Sequence, residues 1–133
     1  MSVSNALQTL IYQRLVAYAP LVALIGGRVY DGPRATALAP YITFGASDVV
    51  EDDVDCIIGR VETIQIDIWS VADDGKRECK AITDAVKNAL HLYAAEPSEG
   101  ALVQMRVILT RVMDDPDLIT KHGVVQVEMM VEE

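Results

Sequence analysis

The sequence predicts an α+β fold: a two-layer sandwich in which a mostly antiparallel β-sheet carries two main helices on one face. Three observations predict it. Apolar residues recur at helical spacing in segments 5–18 and 76–93. Four other segments alternate apolar with polar side chains, the mark of half-buried strands. Those strands come in two consecutive pairs with short links and a helix between the pairs, which favours antiparallel neighbours under a helical layer. A chain of 133 residues suits one domain, 1–133. Its core must be aliphatic, because Phe and Trp occur once each.

In the first helix Leu7, Leu10, Ile11, Leu15 and Tyr18 share a face. Asn5 with Gln8 three residues on resembles a capping box. Pro20 ends this helix or opens a short second one, LVALI, which Gly26-Gly27 stops. Residues 28–39 read as loop, with a turn at Asp31-Gly32-Pro33. YITFGASD follows as a strand, Ile42, Phe44 and Ala46 alternating with Tyr41, Thr43 and Gly45. The run 49–60 reads as an exposed loop or strand end, since Glu51, Asp52, Asp53 and Asp55 repel one another.

VETIQIDIWSV then alternates cleanly, Ile64, Ile66 and Ile68 on one face and Thr63, Gln65, Asp67 and Trp69 on the other. Asp73-Asp74-Gly75 breaks it, and either aspartate can cap the following helix. That helix carries Cys79, Ile82, Val86, Ala89, Leu90 and Tyr93 on one stripe. Two more strands close the chain. In 102–113, Val103, Met105, Val107 and Leu109 share a side; in the last, Val125, Val127, Met129 and Val131 face in.

The net charge of −9, from 20 acids and 11 bases, argues against general affinity for nucleic acid or anionic lipid. No apolar run approaches a membrane span, and the N-terminus lacks the pattern of a signal peptide. Cys56 and Cys79 fit no zinc or redox spacing and are expected to be reduced thiols. GxSxG, HExxH, P-loop and GxGxxG motifs are all absent, so no enzyme, cofactor or metal is expected. His91, at a helix end, reads as a surface or capping residue.

The stretch DDPDLITKHG concentrates Asp114, Asp115, Asp117, Lys121 and His122. Acids beside a histidine suit a metal site, but the rhythm of a calcium loop is missing. The simpler reading is a long hairpin connection: Pro116 starts the turn, the aspartates bond the loop backbone, Lys121 and His122 offset the acids, and Gly123 lets the chain rejoin the sheet. Polar hairpin tips on a rigid sheet are places for protein contact. The candidate interface or channel residues are therefore Glu51, Asp52, Asp53, Asp55, Trp69, Asp114, Asp115, Asp117, Lys121 and His122. Trp69, on the polar side of its strand, either folds under a loop or anchors a subunit interface. Both loops are expected to be mobile in the free subunit, having few apolar anchors.

Taken in order, ALQTLIYQRL, LVALIGGRVYDG, PYITFG, TIQIDIWS, GKRECKAITDAVKNAL and DPDLITKHGVVQVEMMVE resemble the small tail-completion proteins of phages and prophages. That family is related to the tail terminators of long-tailed phages and gene transfer agents. The resemblance spans nearly the whole chain. It implies a structural protein of the virion tail, assembled in the host cytoplasm, that forms a ring, usually of six. Such a ring caps the tail tube, meets the head connector and lets DNA pass without specific binding. No enzyme activity is implied, and the acidic run Glu51–Asp55 maps onto no family motif. Three other readings stay open on the residues alone: a small α+β enzyme or ligand-binding domain, an adaptor unrelated to phage, and a tail tube subunit.

Overall fold

A computed structural model describes residues 2–32 and 37–133. Three helices and five strands follow in the order α1 (Val3–Ala17), α2 (Ala19–Ile25), β1 (Val29–Tyr30), β2 (Tyr41–Glu51), β3 (Gly59–Ser70), α3 (Arg77–Leu90), β4 (Ala101–Asp114) and β5 (Lys121–Glu132). They build an α+β fold around one sheet with strand order β1-β2-β3-β5-β4. Every pairing is antiparallel except β1 with β2.

The helices begin and end where local chemistry directs, with two corrections. Ser2, not Asn5, caps α1: its hydroxyl accepts the Asn5 N–H at 3.1 Å. Pro20 sits in the first turn of α2, where a missing N–H costs nothing, and Gly26 ends that helix at φ 63°. Lys76 occupies the cap position of α3 with no side-chain bond, so neither Asp73 nor Asp74 caps it. No single helix among the described residues is long and apolar enough to cross a membrane.

One core joins all three helices to one face of the sheet. Leu7, Ile11 and Leu15 of α1, Leu21 and Ile25 of α2, and Ile82, Val86 and Leu90 of α3 meet Ile64, Ile66, Ile68, Val125, Val127 and Met129. Each fully buried Leu or Ile contributes about 2 kcal/mol relative to exposure. Gly123 lies on this inner face between Ile68 and Val112, in mid-sheet rather than at a turn. A Cβ there would stand 2.7 Å from Thr83 Oγ1 and 3.0 Å from Cys79 Sγ. The glycine therefore lets α3 lie against the sheet; its expected role in rejoining the strand is not the one it fills.

Two further readings are corrected, and one falls partly outside the described residues. The segment read as loop contains β1, two residues long and paired in parallel with Ile42 and Thr43. Of the turn expected at Asp31-Gly32-Pro33, Pro33 lies outside the described residues. In β4, shifts between Leu102 and Gln104 and between Val107 and Leu109 break the alternation. Val103 is consequently 59% exposed, not inward like Met105.

Candidate functional site

The two loops singled out by sequence lie at opposite ends of the sheet. β3 pairs with β5 from Gly59↔Glu132 to Ser70↔Lys121, so the β2–β3 tip crowns one end and the β4–β5 tip the other. At ~3.3 Å per residue the ends are roughly 35 Å apart. They cannot form a single site.

The β2–β3 end is acidic. β2 runs to Glu51, and a tight turn with paired Val54 and Ile57 carries the chain back. Asp53 is used internally, accepting the Gly59 N–H at 3.0 Å. Glu51, Asp52 and Asp55 are exposed and make no ion pair among the described residues. Between these acids stand exposed apolar side chains: Val49, Val50, Val54, Ile57 and Ile58. Exposed valines and isoleucines thus lie among unpaired acids at this end.

At the β4–β5 end one acid is paired with lysines and two bond the loop itself. Asp114 bridges to Lys121 at 2.9 Å and to Lys76 at 3.3 Å. Those two ammonium groups hold the Asp114 carboxyl below the ordinary aspartate range, the Lys121 bond having the larger effect. Asp117 organises the tip by accepting the Ile119 and Thr120 N–H groups and the Thr120 hydroxyl. These bonds, led by that of the Thr120 side chain, lower its pKa too. Asp115 closes the loop through backbone bonds with Thr120 and Leu118. DDPDLITKHG is thus a hairpin connection whose acids bond lysines and backbone.

This arrangement has a pH sign. A carboxylate with a depressed folded pKa stabilises structure above its unfolded pKa, and the contribution is lost as pH falls through the folded value. Amide exchange at Ile119 and Thr120 should therefore be slow at neutral pH and lose protection once pH drops below the ordinary aspartate range. Asp117→Ala should remove that protection at every pH. Unaltered protection in the variant would refute the assignment.

His122 is not part of this tip. It lies in β5, where its ring stacks on Trp69 with centroids 4.1 Å apart and planes 11° from parallel. Its Nε2 meets Asp67 Oδ1 at 2.7 Å. Trp69 Nε1–H donates to Thr43 Oγ1 at 3.0 Å, and Gln65 Nε2–H donates to Asp67 Oδ1 at 2.9 Å. Gly45 lies beside them, and a Cβ there would stand 2.5 Å from Asp67 Oδ2, displacing that carboxylate from the network. Trp69 lies on the sheet's outer face, held by side chains of β2 and β5. This polar network was missed in the sequence because alternation marks a face as outward without showing that its side chains bond one another.

Other chemical groups are accounted for. His91 takes the C-cap position of α3 through its backbone N–H, which donates to Lys87 O, while its Nδ1 accepts the Val107 N–H of β4 at 3.1 Å. Burial pushes the Cys79 thiol up, which makes it a poor nucleophile; Cys56 is exposed, and the two do not pair. Among the described residues no group of three or more His, Cys, Asp or Glu side chains could hold a metal ion.

Comparison with known families identifies the kind of protein. The family model described as tail completion protein gp17 matches residues 9–132. The chain belongs to that family. The family of tail completion proteins is structural, and it carries a coarse role and location: part of the tail of a phage-type virion. A relative, tail completion protein gp17 of Bacillus phage SPP1, is 26% identical over 129 residues, covering 96% of this chain and 93% of the relative. A chain in the virion of a native gene transfer agent particle superposes with TM-score 0.91 at 29% identity, covering 99% of this chain and 98% of that one. The solved gp17 structure of bacteriophage SPP1 shares the fold at TM-score 0.62 and 24% identity, with coverage of 95% and 88%.

Proposed function

We propose that this tail completion protein is the subunit of a ring, six copies around, that caps the tail tube and joins it to the head connector. The observation that carries this is the pair of unlike ends on one sheet. A tube subunit stacks on its own kind and needs ends that match. A terminator must bind the tube at one end and present something else at the other, a problem of surface shape and charge. Both ends expose apolar side chains, Val54 and Ile57 at one and Leu118 and Ile119 at the other, but Glu51, Asp52 and Asp55 make no ion pair among the described residues, whereas Asp114 is paired with two lysines. A net charge of −9 also suits a ring through which DNA passes, since like charge keeps phosphates from adhering.

On this reading Asp52, Asp53 and Asp55 meet a basic partner surface and the neighbouring valines and isoleucines supply the apolar contact. The test is a triple change of these aspartates to Asn in the phage that encodes the chain. Electron microscopy should show over-long tails, because capping fails. Tails of normal length with slowed DNA packaging or ejection would assign the acids to the channel wall instead. Wild-type behaviour in both assays would leave them no part in assembly.

A further inference from the structure

Among the described residues the sheet has two unpaired stretches of strand edge, and their charges are opposite. On one side β1 covers β2 only at Ile42 and Thr43, so the edge of β2 from Gly45 to Glu51 has no strand partner among the described residues. Its charged side chains are Asp48 and Glu51, both acidic. On the other side β4 is the last strand. Its first half is covered, because Leu92 N–H donates to Met105 O and Val107 N–H to His91. The half from Ile108 to Asp114 is not. Before Asp114, which its two lysines already satisfy, the only charge in this half is Arg111. Neither Arg111 nor Asp48 has an ion-pair partner among the described residues.

We infer that the free half of β4 pairs antiparallel with the free half of β2 in a second copy of this chain, so that the sheet continues from subunit to subunit around the ring. The inference rests on the ring proposed above and names the contact that closes it. Direction supports it. β4 runs opposite to β2 within the sheet, so copies related by a rotation along the strands bring the two together antiparallel. The contact is heterologous, with two different patches meeting, as a closed ring requires.

Face parity then restricts the register. Arg111 lies opposite Val124, and Asp48 opposite Thr63, both on the outer face; Thr110 and Val112 lie opposite Val125 and Gly123 on the inner one. Among the registers that preserve both faces, one sets Arg111 directly across from Asp48. It also sets Val112 across from Ser47 and Thr110 across from Val49, and it brings Arg106 level with the acidic tip. Opposite charges across a strand pair stabilise it, and like charges there destabilise it. An uncovered edge with exposed Ile108 and Met113 is otherwise an aggregation hazard, which pairing removes.

The experiment uses Arg111→Asp and Asp48→Arg, in tails of the encoding phage and in the purified protein at high concentration. Each single variant should keep its fold by circular dichroism yet weaken subunit association by about tenfold per contact, compounded around the ring, so that ring density disappears from tail ends. Mixing the two variants should restore rings in which they alternate, because each then supplies what the other's edge lacks. Combining both changes in one chain should restore rings as well. Rings formed by either single variant, or no rescue in the mixture and the combined variant, would overturn the inference while wild-type rings kept the proposed function standing. Absence of rings from wild-type tails would overturn the ring itself, and this contact with it.

Discussion

Gly123→Val should lower the stability of the fold by about 3 kcal/mol, the upper part of the range for overpacking a tight core. The cause is local and geometric. Even the Cβ would meet Thr83 Oγ1 at 2.7 Å, Cys79 Sγ at 3.0 Å and Ile68 Cβ at 3.1 Å. Thr83 cannot swing aside cheaply, since it is buried and its hydroxyl donates to Cys79 O at 2.8 Å. The helix must lift from the sheet or the strand must bend, and either opens the core beside Ile82 and Val86. Denaturant unfolding of the purified chain measures the loss. Thr83→Ala should be partly compensating when combined with Gly123→Ala, because it removes the atom in the way; strictly additive losses would refute the close-approach explanation.

The second large effect concerns a buried charge. Glu62 is 1% exposed, on the inner face of β3, where its Oε1 accepts Ser4 Oγ–H at 2.8 Å and Arg60 Nη1–H at 3.2 Å. Arg60 also donates to Glu133, which is the main cause of its raised pKa. Arg60→Met leaves the Glu62 carboxylate buried with the Ser4 hydroxyl alone, and removing one partner of a buried pair costs about 3–5 kcal/mol. The double variant Arg60→Met with Glu62→Leu should regain most of that, since a buried pair replaced by packed apolar groups is often neutral. Equal destabilisation in the single and double variants would show that the loss comes from packing and not from the stranded charge.

Both of these positions were within reach of the sequence. Glu62 and Arg60 have the same parity as Ile64, Ile66 and Ile68, and Gly123 the same as Val125 and Val127; an acid on an apolar face signals a buried pair. The period of two gave β3 and β5 correctly because each strand buries one face along its length. It misjudged β4 because two bulges reset the alternation, and a bulge leaves no mark in composition there. β1 is too short to carry a period at all. Asp52, Asp53, Asp55, Asp115 and Asp117 were legible as loop residues, whereas Glu51 and Asp114 are the last residues of β2 and β4. Their placement at opposite ends was not, since it depends on β3 lying beside β5, a contact between segments more than fifty residues apart that neither segment encodes alone.

The uneven spread of charge along the strands has a kinetic consequence. Glu51, Asp52, Asp53 and Asp55 gather at one end with Glu132, where Arg60 offsets Glu133, while at the other two lysines offset Asp114 beside Asp115 and Asp117. A subunit built this way has an electric dipole along the sheet. In the field of a charged surface it turns before it touches, so that productive encounters outnumber inverted ones. The bias acts over about one Debye length, ~8 Å at physiological ionic strength, and fades as salt rises. Charge at the tips thus governs how quickly, and which way round, a subunit arrives, separately from how firmly the apolar side chains hold it afterwards.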